Sequence, residues 1–433
     1  MGLNTMNFPK MTLIKQAFEN GPAVNIQETL SQEFDRTGLL TAVKPGDTVV
    51  ITAGSRGIDC MTEVLKTLVD SIYKIGGKPV LFPAMGSHGR GEAQSQTRVL
   101  VNLGITQETM NCAIYDRLDM VQIGSVMDVC PVYVDRLILE ADHILLVNRV
   151  KEHTEYIGDT ESGLLKMAVV GLGRQQGAEA MHRLAVNVSY QKAIHAIAAS
   201  IFEKTNMLGG VAILENQLNR LRRIEVVPAS DIFEREPILL KESQQYKAKL
   251  PFDSIDVLLV DEIGKEVSGS GMDTKVIGRI MNVYEKECGT PKIMRIIVRD
   301  LSETTHGNAL GIGLADYTTR RLVDRIDYQA LDLNCITASA PEKARIPITL
   351  PHDRAALEAA LRTIGMWTPE QVKIVWIHNT ASLQWMAVSE GLSGQAEKKK
   401  EIQVHCPLFE LPFCPKQNLP GIQEILNKRN VIK

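Results

Sequence analysis

The stretch "DTVVITAGSRGIDCMTEVLKTLVDSIYKIGGKPVLFPAMG", residues 47–86, decides the fold. A run rich in β-branched residues leads into a glycine-rich loop, an amphipathic stretch follows, and a second apolar run closes the segment. This order is typical of α/β proteins, in which parallel strands alternate with helices. The alternation continues along the chain and predicts strands at 47–54, 79–86, 143–148, 209–215, 255–264, 292–301 and 372–380, with helices at 61–77 and 187–204.

The length of 433 residues exceeds what one hydrophobic core usually holds, so we expect two domains. The polar, strand-poor stretch "LLKESQQYKAKLPFDS" indicates the boundary between them. We predict one α/β domain over residues 1–249 and a second over 250–433, which has three strands and ends in a Pro-rich tail and a closing helix. Each domain should contain a mainly parallel sheet flanked by helices, with the active site in the cleft between the two.

Composition limits the classes of function. The formal net charge is −3, whereas a nucleic-acid-binding protein is expected to carry a basic surplus. The seven cysteines are scattered without a C-x-x-C pair, which is typical of a reducing compartment. No stretch is apolar enough for a membrane span, and the N-terminus lacks the apolar core of a signal peptide. The sequence thus predicts a cytoplasmic protein without membrane or nucleic-acid partners, and it leaves open whether the chain forms a homo-oligomer.

Reactive side chains follow several predicted strands at the point where each strand ends. Arg56 follows "VVIT", His88 follows "VLFPA" and His153 follows "ILLVN", while Lys265 and Asp273 follow "VLLVDEIG". Because ligands of open α/β sheets bind beyond the carboxyl ends of the strands, we expect these loops to converge on one ligand. Glycines in the loops allow the backbone to approach that ligand closely. Taken alone, each of these residues could also be an ordinary loop residue.

The stretch "SGLLKMAVVGLGRQQGAEAMH", residues 162–182, combines a lysine, a glycine pair and a histidine. Lys166 interrupts an apolar run, and its stem could simply lie along the surface. The motif "GLGRQQGA" lacks the spacing of a dinucleotide fingerprint. It could still form a short phosphate-contacting turn, from Gly171 to Gly173, that opens a helix with Arg174 assisting. His182 follows on that predicted helix.

Taken in series, "AGSRGI", "PAMGSHG", "NRVKEHT", "ESGLLKMAVVGLG", "GA…H" and "DEIGKEVSGSGMD" resemble the lactate racemase superfamily of nickel-pincer-dependent racemases and epimerases, in particular its non-lactate branch. The resemblance spans roughly residues 45–280. It implies a nickel-pincer nucleotide (nickel pyridinium-3,5-bisthiocarboxylic acid mononucleotide) as cofactor. It also implies a small-molecule 2-hydroxy acid as substrate and cofactor-biosynthesis proteins as partners. The first domain would then bind the cofactor and contain the catalytic residues.

Matched motif by motif, the resemblance implies roles for several of the candidate residues. Lys166 would bond covalently to the cofactor, and His182 would supply a nickel ligand. His88 and His153 would form the acid/base pair, and Arg56 would bind the substrate carboxylate. Apart from the resemblance, the positions of the loops lead us to expect Gly171, Gly173 and Arg174 near the cofactor phosphate, and Lys265 and Asp273 at the far end of the substrate.

The chemistry explains why such residues are needed. The α-hydrogen of an ionised 2-hydroxy acid is a poor acid, so its removal as hydride onto a cofactor avoids a costly dianion. The hydroxyl proton must leave with it, which gives a planar 2-keto intermediate, and an imidazole suits that transfer at neutral pH. Because either enantiomer must be able to start the reaction, a base is needed on each face. An arginine binds the carboxylate at two points.

Two departures from the family pattern argue against lactate as the substrate. Ala53 stands where lactate-racemising members place an acid, and the interval from His153 to Lys166 is longer than theirs. From the residues alone, two other functions stay open. One is a divalent-metal hydrolase or lyase that uses His88, His153 and His182, and the other is a catalytically silent protein of the same fold that binds a sugar acid or a nucleotide.

Overall fold

A computed structural model describes residues 6–55, 57–86 and 92–429 of the chain. The chain divides into two compact units, an N-terminal unit and a C-terminal unit. The secondary structure of the described residues consists of sixteen strands and fifteen α-helices, joined by loops and by short 3-10 and π-helical turns. None of these helices is long and apolar enough to cross a membrane.

The strands are β1 (Met11–Gln16), β2 (Thr48–Ala53), β3 (Lys78–Pro83), β4 (Ala113–Ile114), β5 (Met120–Val126), β6 (Cys130–Asp135), β7 (His143–Arg149), β8 (Met207–Glu215), β9 (Leu221–Pro228), β10 (Ser254–Ile263), β11 (Lys292–Leu301), β12 (Tyr317–Thr319), β13 (Ile348–Leu350), β14 (Ile374–Ile377), β15 (Trp385–Ser389) and β16 (Ile402–Val404). The helices are α1 (Ile26–Thr37), α2 (Met61–Lys74), α3 (Ala93–Asn102), α4 (Gln107–Met110), α5 (Arg136–Glu140), α6 (Leu164–Lys166), α7 (Arg174–Val188), α8 (Tyr190–Lys204), α9 (Ile232–Gln245), α10 (Thr274–Ile277), α11 (Arg320–Val323), α12 (Tyr328–Thr337), α13 (Asp353–Leu361), α14 (Glu390–Glu397) and α15 (Ile422–Lys428).

The N-terminal unit comprises Glu19–His153 and Ile157–Lys247. Its main sheet has six strands in the order β4-β3-β2-β7-β8-β9. Neighbouring strands are parallel except for β8 and β9, which are antiparallel. A separate antiparallel hairpin pairs β5 with β6. The predicted α/β class with a mainly parallel sheet is confirmed, and the strands that the sequence does not predict lie at the sheet edges or in the hairpin.

Helix α2 shows how the sequence builds the core of this unit. Its apolar residues recur at helical spacing, so that one face is apolar along its whole length. They join a cluster that includes residues of β2 and β7. Burying each such side chain stabilises the fold by roughly 1.5–3 kcal/mol relative to leaving it exposed. The fully buried residues of α2 are Val64, Leu65, Leu68, Val69 and Ile72.

The C-terminal unit comprises the residues up to Phe18, Thr154–Tyr156 and the chain from Ala248 onward. Its eight-stranded sheet has the order β13-β12-β11-β10-β14-β15-β1-β16. The strands from β13 to β14 are parallel, and the remaining pairs are antiparallel. The change of unit after Lys247 lies close to the boundary predicted at 249.

Two expectations about this unit need correction. The sequence predicts three strands, β10, β11 and β14, whereas the sheet has eight. The sequence also assigns the start of the chain to the first domain, but β1 pairs with β15 and β16 in the C-terminal unit. The physical reason is that a short strand acquires its hydrogen-bond partners from remote parts of the chain, and local patterns do not contain that information.

A buried ion cluster holds the predicted Pro-rich tail against this sheet. The Arg299 guanidinium, 4% exposed, forms ion pairs with Asp261 and with Asp353, the latter at 2.8 Å. The same two carboxylates accept hydrogen bonds from the tail, Asp353 from the Leu419 amide at 2.9 Å and Asp261 from the Ile422 amide at 2.7 Å. Because each buried charge has partners, the cost of removing it from water is offset. The closing helix α15 starts at this cluster.

His378 lies directly after β14, beside the acidic end of β10. Asp261 and Glu262 raise the pKa of His378 to about 9. Its Nε2 lies 3.2 Å from Glu262 Oε1, whereas its Nδ1 lies 3.9 Å from Asp261 Oδ2, too far for a hydrogen bond. We therefore regard Glu262 as the direct partner and Asp261 as a longer-range contributor. At neutral pH the imidazole is protonated.

The raised pKa of His378 predicts a pH-dependent stability. A cation whose pKa is higher in the folded than in the unfolded state stabilises fully below pH about 6.5, and that stabilisation is lost as the pH rises through about 9. Allowing for its partial exposure, we expect a loss of about 2 kcal/mol over this range. Thermal unfolding between pH 6 and pH 10 should show this loss in the wild type and not in His378→Gln.

His405→Gln is the control for this measurement, because burial and Lys15 lower the pKa of His405, which is the opposite direction from the shift at His378. Parallel stability curves for the wild type and His378→Gln would contradict the interpretation.

Candidate active site

The loop after β7 carries His153 and is held by backbone and side-chain hydrogen bonds. The Lys151 amide donates to the Ser162 carbonyl at 2.8 Å, and the Ser162 amide donates back at 3.0 Å. Glu161 lies within the loop that this backbone pair closes and is 1% exposed. Its Oε2 accepts a hydrogen bond from the His153 amide at 2.6 Å. His153 is thus anchored through its backbone, and its imidazole is half-buried.

The segment after this loop is helical, although its hydrogen-bond pattern changes along the way. It begins with α6, continues as a π-helical turn over Met167–Gly171, and resumes as α7. Arg174, the first residue of α7, has a φ of 48° in the left-handed region, which interrupts the regular helix. Single π-helical turns are rare and are often found at functional sites.

The glycines of this segment serve close packing. A Cβ at Gly171 would lie 2.4 Å from the Met167 sulfur, and one at Gly173 would lie 2.5 Å from the Val169 carbonyl oxygen. The predicted turn from Gly171 to Gly173 lies between the π-helical turn, which ends at Gly171, and α7, which begins at Arg174; its contact with a phosphate remains a prediction. Nothing larger than glycine fits at either position without a shift of the neighbouring atoms.

Lys166 and His182 are brought together by this segment. Burial and, to a smaller extent, the positive charge of Lys166 together lower the pKa of His182 to about 4. The second effect requires the lysine ammonium to lie near the imidazole. At neutral pH His182 is therefore uncharged, which is the form in which a histidine can bind a metal.

Tyr190, at the start of α8, contacts both histidines. Its hydroxyl lies 3.0 Å from His182 Nδ1, and its ring meets the His182 ring edge-on with centroids 5.6 Å apart. The His153 ring lies on it with centroids 5.9 Å apart. Tyr190 is fully buried. The structure thus brings His153 and His182 to a tyrosine that sequence reasoning did not identify, because no motif marks it, and Lys166 lies near the second of these histidines.

Two other candidate residues, Arg56 and His88, lie outside the described residues. The glycines that precede them are described. A Cβ at Gly54 would lie 3.5 Å from Met167 Cε, and one at Gly86 would lie 2.7 Å from Val170 Cγ1. Both glycines therefore pack on the π-helical turn that follows Lys166.

Arg174 lies in the interior of the N-terminal unit. It is 1% exposed, its Nε lies 3.2 Å from Asp135 Oδ2, and its Nη1 donates to Gln96 Oε1 at 2.6 Å. Its guanidinium stacks on Phe82 at 4.4 Å. Gln96 in turn donates to the Gly86 carbonyl at 2.9 Å. These contacts indicate a packing role, and a cofactor phosphate could reach this guanidinium only if the cluster opened.

Lys265 and Asp273 lie in the C-terminal unit and have local partners there. Lys265 Nζ donates to Asn334 Oδ1. Asp273 caps α10 by accepting the Lys275 amide at 2.9 Å, and its own amide donates to Thr380 Oγ1 at 2.8 Å. Capping of this kind is a common structural use of aspartate. Their predicted contact with the substrate remains a prediction.

Within residues 6–55, 57–86 and 92–429, no three histidine, cysteine or acidic side chains are grouped so that they could hold a metal ion. His88, which the alternative three-histidine site requires, is not among these residues.

Comparisons with known proteins agree with the sequence motifs. The family described as the lactate racemase N-terminal domain matches residues 7–193, which include His153, Lys166 and His182. Among solved structures, the lactate racemase apoprotein from Thermoanaerobacterium thermosaccharolyticum is similar in fold, with a TM-score of 0.50 and 12% sequence identity over 85% of this chain and 84% of that chain. The comparison with curated proteins gave no match. The resemblance to the lactate racemase superfamily that the motifs indicate is confirmed by this match over residues 7–193, and the solved structure is similar in fold.

Proposed function

We propose that this protein is a racemase or epimerase of a 2-hydroxy acid that works with a nickel-pincer nucleotide. The match of residues 7–193 to the lactate racemase N-terminal domain points to an isomerase. The observation that carries the proposal is the pairing of Lys166 with a neutral His182. The amine of Lys166 could form the covalent bond to such a cofactor, and the neutral imidazole of His182 could bind its metal.

The residues present fit such a group. The residues around Lys166 are fully or almost fully buried, which fixes the backbone, while the lysine itself is only half-buried. His182 has Nδ1 hydrogen-bonded to Tyr190, so Nε2 is the nitrogen that would bind the metal. Nickel accepts imidazole donors readily, and a histidine ligand is commonly oriented by a hydrogen bond on its other nitrogen.

Each residue of the chain then has a defined task. The bound cofactor would supply the acceptor for the hydride that leaves the substrate carbon. His153 would take the hydroxyl proton from one face and return it, because an imidazole exchanges protons readily near neutral pH. His88 would do the same from the other face, and Arg56 would bind the carboxylate through two hydrogen bonds. Lys265 and Asp273 would contact the far end of the substrate.

The role of Lys166 can be tested by mass spectrometry. Protein produced together with the cofactor-biosynthesis proteins should show a mass increase on the peptide that contains Lys166, together with bound nickel. Lys166→Arg should abolish the adduct, since a guanidinium is a poor nucleophile at neutral pH. Lys192→Arg, at an exposed lysine of the same unit, is the matched control and should keep it. Nickel without an adduct, or an adduct elsewhere, would argue against the proposal.

The contact between Tyr190 and His182 predicts an effect on metal retention. Tyr190→Phe keeps the ring that packs on both histidines and removes only the hydroxyl 3.0 Å from His182 Nδ1. We expect nickel affinity to fall roughly 10- to 100-fold with the adduct on Lys166 intact. The measurement is nickel content after exposure to a chelator, and equal retention in the variant and the wild type would remove Tyr190 from this role.

His153 should be needed for proton transfer and not for binding of the cofactor. We expect His153→Gln to retain nickel and adduct while the rate of stereochemical scrambling falls by about 10²- to 10⁴-fold. Deuterium wash-in from heavy water over a panel of 2-hydroxy acids measures this rate and also identifies the substrate. Glu179→Gln, an exposed position on α7, serves as the control. Wild-type rates in His153→Gln would mean that another group moves the proton.

A further inference from the structure

We propose that Glu236 is a positioning residue for Lys166, and that its carboxylate, supplied by α9, fixes the start of the helical turn that presents the lysine. The inference rests on the proposed function in so far as that function makes Lys166 important. The geometry on which it depends lies within the N-terminal unit and does not involve the cofactor.

Glu236 lies far along the sequence from the lysine turn, which is the helical turn Leu164–Lys166, and contacts it through its side chain. Its side chain is buried, with the residue 1% exposed, and its Oε2 accepts the Leu165 amide at 2.9 Å. Leu165 directly precedes Lys166. An oxygen acceptor at this position satisfies an amide that has no partner within its own helix.

Gly163 is the residue that makes this contact possible. A Cβ at Gly163 would lie 2.5 Å from the Glu236 carboxylate carbon, so any larger residue would displace the carboxylate. The Gly163 carbonyl is also engaged, since it accepts the Asn148 side-chain amide at 2.8 Å and the Met167 amide at 3.0 Å. The glycine in the motif "SGLLK" therefore has a physical reason, which is the space it leaves for a remote carboxylate.

The lysine turn depends on this support because it is short. Helix α6 has three residues and is followed directly by the π-helical turn, so few internal hydrogen bonds hold its start. Isolated helical turns are unstable in water, and their order comes from tertiary contacts. Glu236 supplies such a contact at the Leu165 amide, and Asn148 supplies another at the Gly163 carbonyl.

Glu236 is costly to bury, which argues against a role as simple filler. Its Oε1 has no hydrogen-bond partner among the described residues. Burial raises the pKa of Glu236 to about 7, although the Leu165 and Leu164 amides oppose the shift. An apolar side chain would fill the same space at a lower cost. A buried acid kept beside the lysine turn calls for an explanation, and positioning of Lys166 supplies one.

The test uses the amine reactivity of Lys166 in the full-length protein without cofactor. A brief pulse of an acylating reagent is followed by peptide mass spectrometry, and the exposed Lys192 of the same unit is the internal reference. Glu236→Ala should raise the labelling rate of Lys166 by about five- to tenfold relative to Lys192, because loss of the cap lets the turn open. Glu236→Gln keeps an acceptor for the Leu165 amide and should restore most of the wild-type rate.

Two further variants complete the design. Glu234→Gln changes an exposed acid on the same helix and should leave both labelling rates unchanged. Gly163→Ala disturbs the same contact, because its Cβ would displace the Glu236 carboxylate. It should reproduce the selective effect of Glu236→Ala and can replace that variant if Glu236→Ala does not fold.

The outcomes separate this inference from the proposed function. A selective change at Lys166 supports the positioning role, whether or not the protein proves to be a racemase. An unchanged Lys166 rate, or an equal change at Lys166 and Lys192, overturns it. The adduct measurement on cofactor-loaded protein is independent and can succeed in either case.

Discussion

The short helical segment that carries Lys166 and His182 is the constraint on which the rest of the candidate site depends. Both residues stand on a helical path that is interrupted once, at Arg174, and this path brings an ammonium close enough to lower the pKa of an imidazole. Other parts of the N-terminal unit are then arranged around this segment. Gly54 and Gly86 pack on its π-helical turn.

Buried polar groups keep that arrangement in place. Glu161 fixes the loop that carries His153, and Arg174 ties α7 to Gln96, which in turn holds the Gly86 carbonyl. Glu236 supports the start of α6. Such groups contribute little net stability, because removing them from water costs nearly as much as their hydrogen bonds return. What they provide is a single geometry for the residues beside them.

The C-terminal unit shows the same principle at a different place. Arg299 joins the ends of β10 and α13 to the start of the closing helix through two carboxylates. Chain segments that are remote in sequence meet there, including the Pro-rich tail. The N-terminal strand β1 likewise completes a sheet whose other strands follow residue 253. The order of elements along the chain is thus not the order in which they pack.

The sequence by itself determined the α/β class and the positions of the long buried strands. It also indicated that Lys166 and His182 belong to one candidate site. These follow from local periodicity and from a series of motifs, both of which can be read from the sequence without the tertiary structure. Only the tertiary structure assigned β1 to the second sheet, buried Arg174 beside Asp135 and brought Tyr190 and Glu236 to the site. Those contacts join residues that are far apart in the chain or carry no motif, so no local pattern can encode them.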